Sequence, residues 1–168
     1  VAITNAINWI DGIDGLAGGY CSILSLGICI SMLNQDNALG ILFYSIFLGS
    51  IIGFLVRNFK PAFFIMGDCG SNFLGYSFSA SSILFLKDSV NNSINIIYLF
   101  IIFSLPLGDM IFVILNRFLK KQNIFFPDKN HIHHRLINLN IRYRYIILLL
   151  FFYSALSVCV GLFYLQNN

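Results

Sequence analysis

Residues Asn5–Gly19, with the sequence NAINWIDGIDGLAGG, decide the organisation of the chain, because a polar pattern passes directly into an apolar one here. Asn5, Asn8, Asp11 and Asp14 recur at every third position. Since residues three apart are neighbours on a helix surface, a helix or tightened turn would place the four oxygen-bearing side chains on one side. A helix cap needs only one such residue. The pattern therefore favours a functional site.

The apolar run after this motif is the first of five, and the composition of the whole chain agrees with it. The 168 residues are 58% hydrophobic and 10% charged, and their mean hydropathy is +0.81. Soluble domains carry about 25% charged residues, and about 20 apolar residues are enough to cross a bilayer as a helix. We therefore predict an all-α polytopic membrane protein, a single integral-membrane domain. Its expected spans are residues 15–35, 37–56, 69–86, 94–116 and 145–165.

The basic residues indicate how these spans are oriented. Nine of the ten Lys and Arg residues fall in the connections 57–68 and 117–144, and Lys87 is the exception. Basic residues concentrate on the cytoplasmic side of membrane proteins. Both connections, and residues 1–14, are therefore predicted to be cytoplasmic.

The fourth expected span is irregular. Pro106 and Gly108 interrupt it, and Asp109 lies beside them. Proline removes a backbone donor and kinks a helix. Asp109 is therefore predicted either to cap the freed backbone or to take part in catalysis, and the sequence favours neither role.

A second polar motif, MGDCGSNFLG at Met66–Gly75, begins the third expected span. Asp68 is the only charged residue between Lys60 and Lys87. Glycines on both sides leave room for a ligand. Mg²⁺ prefers one or two carboxylates together with phosphates and water. Asp68 is therefore predicted to hold Mg²⁺, with a simple helix cap as the alternative.

A third motif, FFPDKNHIHHRL at Phe125–Leu136, lies in the largest cytoplasmic connection. Its three histidines could bind zinc, but no Cys or Glu lies nearby to complete a closed shell. Lys129 and Arg135 flank them, and such cations suit an anion better than a metal ion. The motif therefore favours contact with phosphate or pyrophosphate. With the other motifs on the same side of the membrane, it indicates metal-dependent phosphoryl chemistry beside a lipid.

The three motifs, in this order, resemble those of the polyprenyl-phosphate N-acetylhexosamine-1-phosphate transferases. The first is similar to the family's NAxNxxDGxDGLA pattern, the second to its MGDxGS pattern and the third to its PDKxHxHHRL pattern. The form HIHHRL is closer to the N-acetylglucosamine branch than to the muramyl-pentapeptide branch. The resemblance covers essentially the whole chain.

The resemblance implies an enzyme that moves N-acetylhexosamine 1-phosphate, and most simply N-acetylglucosamine 1-phosphate, from a UDP-sugar to undecaprenyl phosphate and releases UMP. Asp11, Asp14 and Asp68 would be catalytic, and Asp68 would hold Mg²⁺, for which Mn²⁺ could substitute. The nucleotide sugar would be bound by Asn5, Asn8, Asp11, Asp14, His131, His133, His134 and Arg135.

The implied setting is the bacterial inner membrane and cell-envelope polysaccharide synthesis, such as that of lipopolysaccharide O-antigen, with the active site facing the cytoplasm. The expected partners are the UDP-sugar, the polyprenyl phosphate and the membrane, without nucleic acid, and the family also admits a homodimer. The family's adjacent-Asp motif does not occur in the chain. We therefore expect the 168 residues to be the C-terminal half of a larger helical transferase and to be inactive alone. Ile65 occupies the position where the family tends to place an aromatic residue, which leaves base stacking open.

Two other interpretations fit less well. The CDP-alcohol phosphotransferases also contain an Asp-Gly-rich membrane motif, but their pattern needs Ala-Arg where this chain has Ala17 followed by Gly18. It also needs two further Asp residues four apart, and the next one here is Asp36. A transporter or channel with Asp109 on its pathway would carry polar residues near the midplane rather than at the cytoplasmic ends of the spans.

Overall fold

The computed structural model describes residues 1–86, 92–121 and 131–167. Within these ranges the chain forms helices and no strand, which confirms the predicted all-α class. The helices are α1 (Ala2–Ile10), α2 (Leu16–Asn34), α3 (Ala38–Asn58), α4 (Gly67–Leu86), α5 (Asn92–Ile102), α6 (Ser104–Leu119), α7 (Ile132–Asn138) and α8 (Tyr143–Gln166).

Three helices of the described ranges, α2, α3 and α8, are each long and apolar enough to cross a membrane. Helices α5 and α6 reach that length together, although the chain bends by 78° between them. The protein is therefore a polytopic membrane protein with three spanning helices in its described part, or four if the bent pair forms one span. The third expected span forms helix α4, but Asp68, Asn72 and five serines make this helix more polar. That α4 crosses the bilayer remains a prediction.

The break between α5 and α6 lies at Phe103, slightly before the irregularity expected at Pro106 and Gly108. Pro106 instead occupies the first turn of α6. A proline is tolerated there because the first N–H groups of a helix have no partner within it. The Tyr20 hydroxyl of α2 donates to the carbonyl oxygen of Ile102, 3.0 Å away, and so satisfies an acceptor at the end of α5.

Helix α2 lies at the centre of the packing, against α3 and α8. Helix α1 is only nine residues long, but it packs against both α4 and α6. Its contact with α4 is close, since a Cβ atom on Gly75 would lie 2.7 Å from the Cα atom of Thr4. This packing brings the first motif, on α1 and the turn after it, to the first turn of α4, which carries the second motif.

Candidate active site

Asn8 joins the first two motifs. Its side-chain amide donates to Asp68 Oδ1 at 3.1 Å and to Ser71 Oγ at 2.8 Å. Asn8 is on the last turn of α1, and both of its partners are near the start of α4. Asn5 is exposed one turn earlier on α1. Of the side chains expected to bind substrate, Asn8 is thus the one that fixes the position of the predicted metal residue.

Asp11 is the carboxylate with the most perturbed environment in this group. Burial, together with the neighbouring carboxylates of Asp68 and Asp14, raises the pKa of Asp11 to about 6. Burial disfavours the charged form of a carboxyl group, and nearby carboxylates add to that effect. The three predicted catalytic residues are therefore electrostatic neighbours.

Asp14 does not continue the helical pattern of Asn5 and Asn8, because α1 ends at Ile10. Its side chain turns to the connection after α3, where Oδ2 accepts the N–H of Ala62 at 3.4 Å. Its backbone oxygen accepts the hydroxyl of Tyr143 at the start of α8. Asp14 thus helps to hold the connection after α3 and the start of α8 around the first motif.

Asn58 and Lys60 are two residues of this region that the sequence interpretation missed. Asn58 is 3% exposed, accepts the N–H of Gly15 at 3.0 Å and donates to the carbonyl oxygen of Phe64 at 2.8 Å. Gly15 has a φ of +76°, which suits glycine. Lys60 lines a cavity of about 420 Å³ together with Asp14. A polar residue at the end of an apolar run was the available signal for Asn58.

The described part of the third motif begins at His131; Lys129 and the other residues up to Asn130 lie outside the described residues. His131 and His133 are nearly parallel, at 7°, with ring centroids 5.8 Å apart. The ring of His134 lies 4.3 Å from that of His133. Arg135 turns towards α6, with its guanidinium carbon 4.2 Å from the centre of the Phe112 ring. The histidines therefore form a group, while Arg135 lies at its edge.

His133 connects the third motif to the first. It is 1% exposed, and a Cβ atom on Gly12 would lie 1.9 Å from its Nε2 atom. Only a glycine allows this approach. Burial, with smaller contributions from His134 and His131, lowers the pKa of His133 to about 4, although Asp109 acts in the opposite direction. Neither ring nitrogen has a hydrogen-bond partner among the described residues. A buried, neutral and unpaired imidazole is thus present beside the Asp-Gly turn.

The contacts of Asp109 differ from the helix cap that was one of its two predicted roles. Asp109 does not cap backbone freed at the kink; both of its carboxylate oxygens reach the third motif. Oδ2 lies 2.8 Å from His131 Nδ1, and Oδ1 accepts the N–H of Ile132 at 2.7 Å.

Within the ranges that the structure describes, no three His, Cys, Asp or Glu side chains form a metal-binding group. A preformed cage is not required for Mg²⁺, which commonly keeps several waters and uses substrate phosphates as ligands. The part of the site that fits such an ion is the exposed Asp68 carboxylate beside the crowded Asp11.

Comparison with known proteins identifies the family. Residues 1–86 match the family described as "Glycosyl transferase family 4". The chain belongs to this family. The match covers the first and second motifs, Asn5–Gly19 and Met66–Gly75, and so includes the two segments that Asn8 joins.

Relatives match almost the whole chain. A Bacillus subtilis protein named as a probable undecaprenyl-phosphate N-acetylglucosaminyl 1-phosphate transferase is 44% identical over 90% of the chain. The undecaprenyl-phosphate alpha-N-acetylglucosaminyl 1-phosphate transferase of Yersinia pestis is 33% identical over 95%. The phospho-N-acetylmuramoyl-pentapeptide-transferase of Lactiplantibacillus plantarum is 32% identical over 79%. The chain spans less than half of these relatives, namely 42%, 45% and 40% of their lengths.

Proposed function

We propose that the protein transfers N-acetylglucosamine 1-phosphate from a UDP-sugar to undecaprenyl phosphate, with release of UMP, and that this chain binds the nucleotide sugar. One observation carries the proposal: Asn8 bonds to Asp68 and Ser71, which joins two motifs about sixty positions apart into one site. The names of the Bacillus and Yersinia relatives support the transferred group and the lipid acceptor.

Asp68 is the residue that would hold Mg²⁺. It is exposed, and Oδ2 has no hydrogen-bond partner among the described residues, while Oδ1 accepts from Asn8. A cation would relieve the repulsion among the neighbouring carboxylates of Asp11, Asp14 and Asp68, so the donor set fits a divalent ion. When bound, Mg²⁺ would offset charge on the pyrophosphate.

The histidines would contact the phosphates or the sugar. With a pKa of about 4, His133 is neutral at pH 7, and a neutral imidazole offers one donor and one acceptor. Both ring nitrogens lack a partner among the described residues, so their hydrogen-bonding capacity is unused within this part of the chain. His134 follows His133 on α7 and adds a second ring beside it. These groups would position the transferring phosphate and stabilise its charge.

The proposed setting is the cytoplasmic face of the inner membrane. Nine of ten basic residues lie in the two connections that carry Asp68 and the histidines, and such a distribution is typical of cytoplasmic connections. A UDP-sugar is charged and stays in the aqueous phase, whereas the polyprenyl acceptor lies in the bilayer. A site at this face can receive both.

The test is the transfer of labelled N-acetylglucosamine 1-phosphate to undecaprenyl phosphate by a full-length transferase carrying these residues. Asp68→Asn keeps the shape of the side chain and removes its charge, so we expect turnover to fall about 10²–10³-fold at saturating Mg²⁺. Asp36→Asn, at an exposed position between α2 and α3, makes the same chemical change away from the site and should leave turnover unchanged. Wild-type turnover in Asp68→Asn would remove Asp68 from the metal role.

A further inference from the structure

Asp109 is the buried carboxylate that the proposed function does not use. It lies on α6, and its side chain is 2% exposed. Its two oxygens contact His131 and Ile132, 22 and 23 positions further along the chain. A carboxylate buried in a membrane protein is costly without partners, and here each oxygen has one. The contacts therefore mark a position where α6 holds the third motif in place.

The contact with His131 determines which ring nitrogen carries a hydrogen. An ionised carboxylate only accepts hydrogen bonds, so His131 Nδ1 is the donor over the 2.8 Å contact. In the neutral ring Nε2 is then an acceptor. The ring is also held by Trp9 of α1 at a centroid distance of 5.4 Å and by the parallel ring of His133 at 5.8 Å. These contacts hold His131 in one orientation, and a carboxylate at Nδ1 favours the Nδ1–H tautomer.

The contact with Ile132 fixes the helix that follows. Ile132 is the first residue of α7, and its N–H is one of the four that a helix leaves without an internal partner. Asp109 Oδ1 accepts it at 2.7 Å. The same carboxylate therefore orients His131 and the start of the helix on which His133 and His134 lie.

We propose that Asp109 is a positioning residue of the transferase, which holds His131 with Nδ1–H towards α6 and leaves Nε2 as the acceptor of the ring. The role rests on the proposed function, because it matters for turnover only if the histidines contact the nucleotide sugar. Asp109 acts through His131 and does not touch substrate.

Asp109→Asn separates positioning from simple structural support. The Asn oxygen can still accept the N–H of Ile132, so the start of α7 keeps its partner. The Asn nitrogen is a donor, so His131 Nδ1 must become the acceptor and the hydrogen must move to Nε2. The variant therefore preserves the shape of the contact and reverses the tautomer of His131.

The experiment measures structure and turnover separately. In the full-length transferase with ¹⁵N-labelled histidine, NMR should show the Nδ1–H tautomer for His131 in the wild type and Nε2–H in Asp109→Asn. We expect kcat to fall about 10- to 100-fold, by analogy with the loss found when the carboxylate behind a metal-binding histidine is removed, with a smaller change in KM. Trp9 is the only tryptophan. Unchanged ring signals of Trp9, assigned by their loss in Trp9→Phe, would show that the packing around His131 persists.

Two controls make the result specific. Asp36→Asn should change neither the His131 signals nor kcat. In a His131→Ala background, Asp109→Asn should have little further effect on kcat, because a residue that acts through His131 is coupled to it. Additive losses, or wild-type kcat in Asp109→Asn despite the reversed tautomer, would overturn the positioning role. A wild-type enzyme without UDP-sugar-dependent turnover would instead overturn the proposed function, and the tautomer measurement would still report on the contact itself.

Discussion

The candidate site has a carboxylate side, formed by Asp11, Asp14 and Asp68, and an imidazole side, formed by His131, His133 and His134. The two sides are built in opposite ways. Asp68 is exposed, and burial together with the neighbouring carboxylates of Asp68 and Asp14 raises the pKa of Asp11 to about 6. His133 is buried and neutral, with a pKa of about 4, and its neighbour His131 is bonded to Asp109. The first side has excess charge that a cation would relieve, and the second is already arranged without one. On the proposed function, binding of a divalent ion would therefore change the carboxylates more than the histidines.

The largest loss of turnover from a small added group is expected where the carboxylate side contacts the imidazole side, at Gly12 and His133. In Gly12→Ala the new Cβ atom would lie 1.9 Å from His133 Nε2, so the ring or the Asp-Gly turn must move. A misplacement of about 1 Å can cost about 100-fold in rate, and we expect at least that loss of transferase turnover. Gly49→Ala is the matched control, since nothing lies within 4 Å of its Cβ position. Equal turnover in both variants would show that the approach of Gly12 to His133 is unimportant.

The opposite pKa shifts predict opposite pH dependences of stability. The raised pKa of Asp11 contributes stability below pH 3.8 that is lost as the pH rises through about 6. The lowered pKa of His133 contributes stability above pH 6.5 that is lost as the pH falls through about 4. Relative to the wild type, Asp11→Asn should therefore gain thermal stability as the pH rises from 4 to 6.5, and His133→Leu as it falls.

The measurement is the unfolding midpoint of each variant in detergent, without added divalent metal, as a function of pH. His134→Leu serves as the control, because it changes a partly exposed neighbouring ring. Parallel pH profiles for Asp11→Asn and His133→Leu would contradict the contrast between the two sides.

The sequence predicted the long helices because each is a continuous apolar run. The expected spans 15–35, 37–56 and 145–165 correspond to α2, α3 and α8, Leu16–Asn34, Ala38–Asn58 and Tyr143–Gln166. The break in the fourth expected span lies at Phe103, whereas the sequence predicted it at Pro106 and Gly108. Proline did not locate the break, because it is tolerated in the first turn of a helix as well as at a kink.

The motifs predicted which residue types belong to the site, but not how they are connected. The polar spacing of Asn8 and Asp11 implied proximity along one helix, whereas the bond from Asn8 to Asp68 depends on how α1 packs on α4. An Asp in an apolar run implied that Asp109 has a partner. Which partner it has depends on the fold, because His131 is 22 positions away and on another element.

The smallest expected change in stability is that of His133→Leu, which tests whether His133 serves a ligand or the fold. Its two ring nitrogens are buried without a partner among the described residues, and an unpaired buried polar group costs about 1–3 kcal/mol. His133→Leu replaces the ring with an apolar side chain that is shorter towards Gly12. At pH 7.5, where His133 is neutral, we expect the free energy of unfolding to stay equal or rise by about 1 kcal/mol, while transferase turnover is lost. His134→Leu should leave stability within about 0.5 kcal/mol, as is usual away from buried features. A loss of several kcal/mol in His133→Leu would mean that the imidazole stabilises the fold, and the imidazole side would then be structural. Retained stability with lost turnover is the combination that a ligand-binding histidine requires.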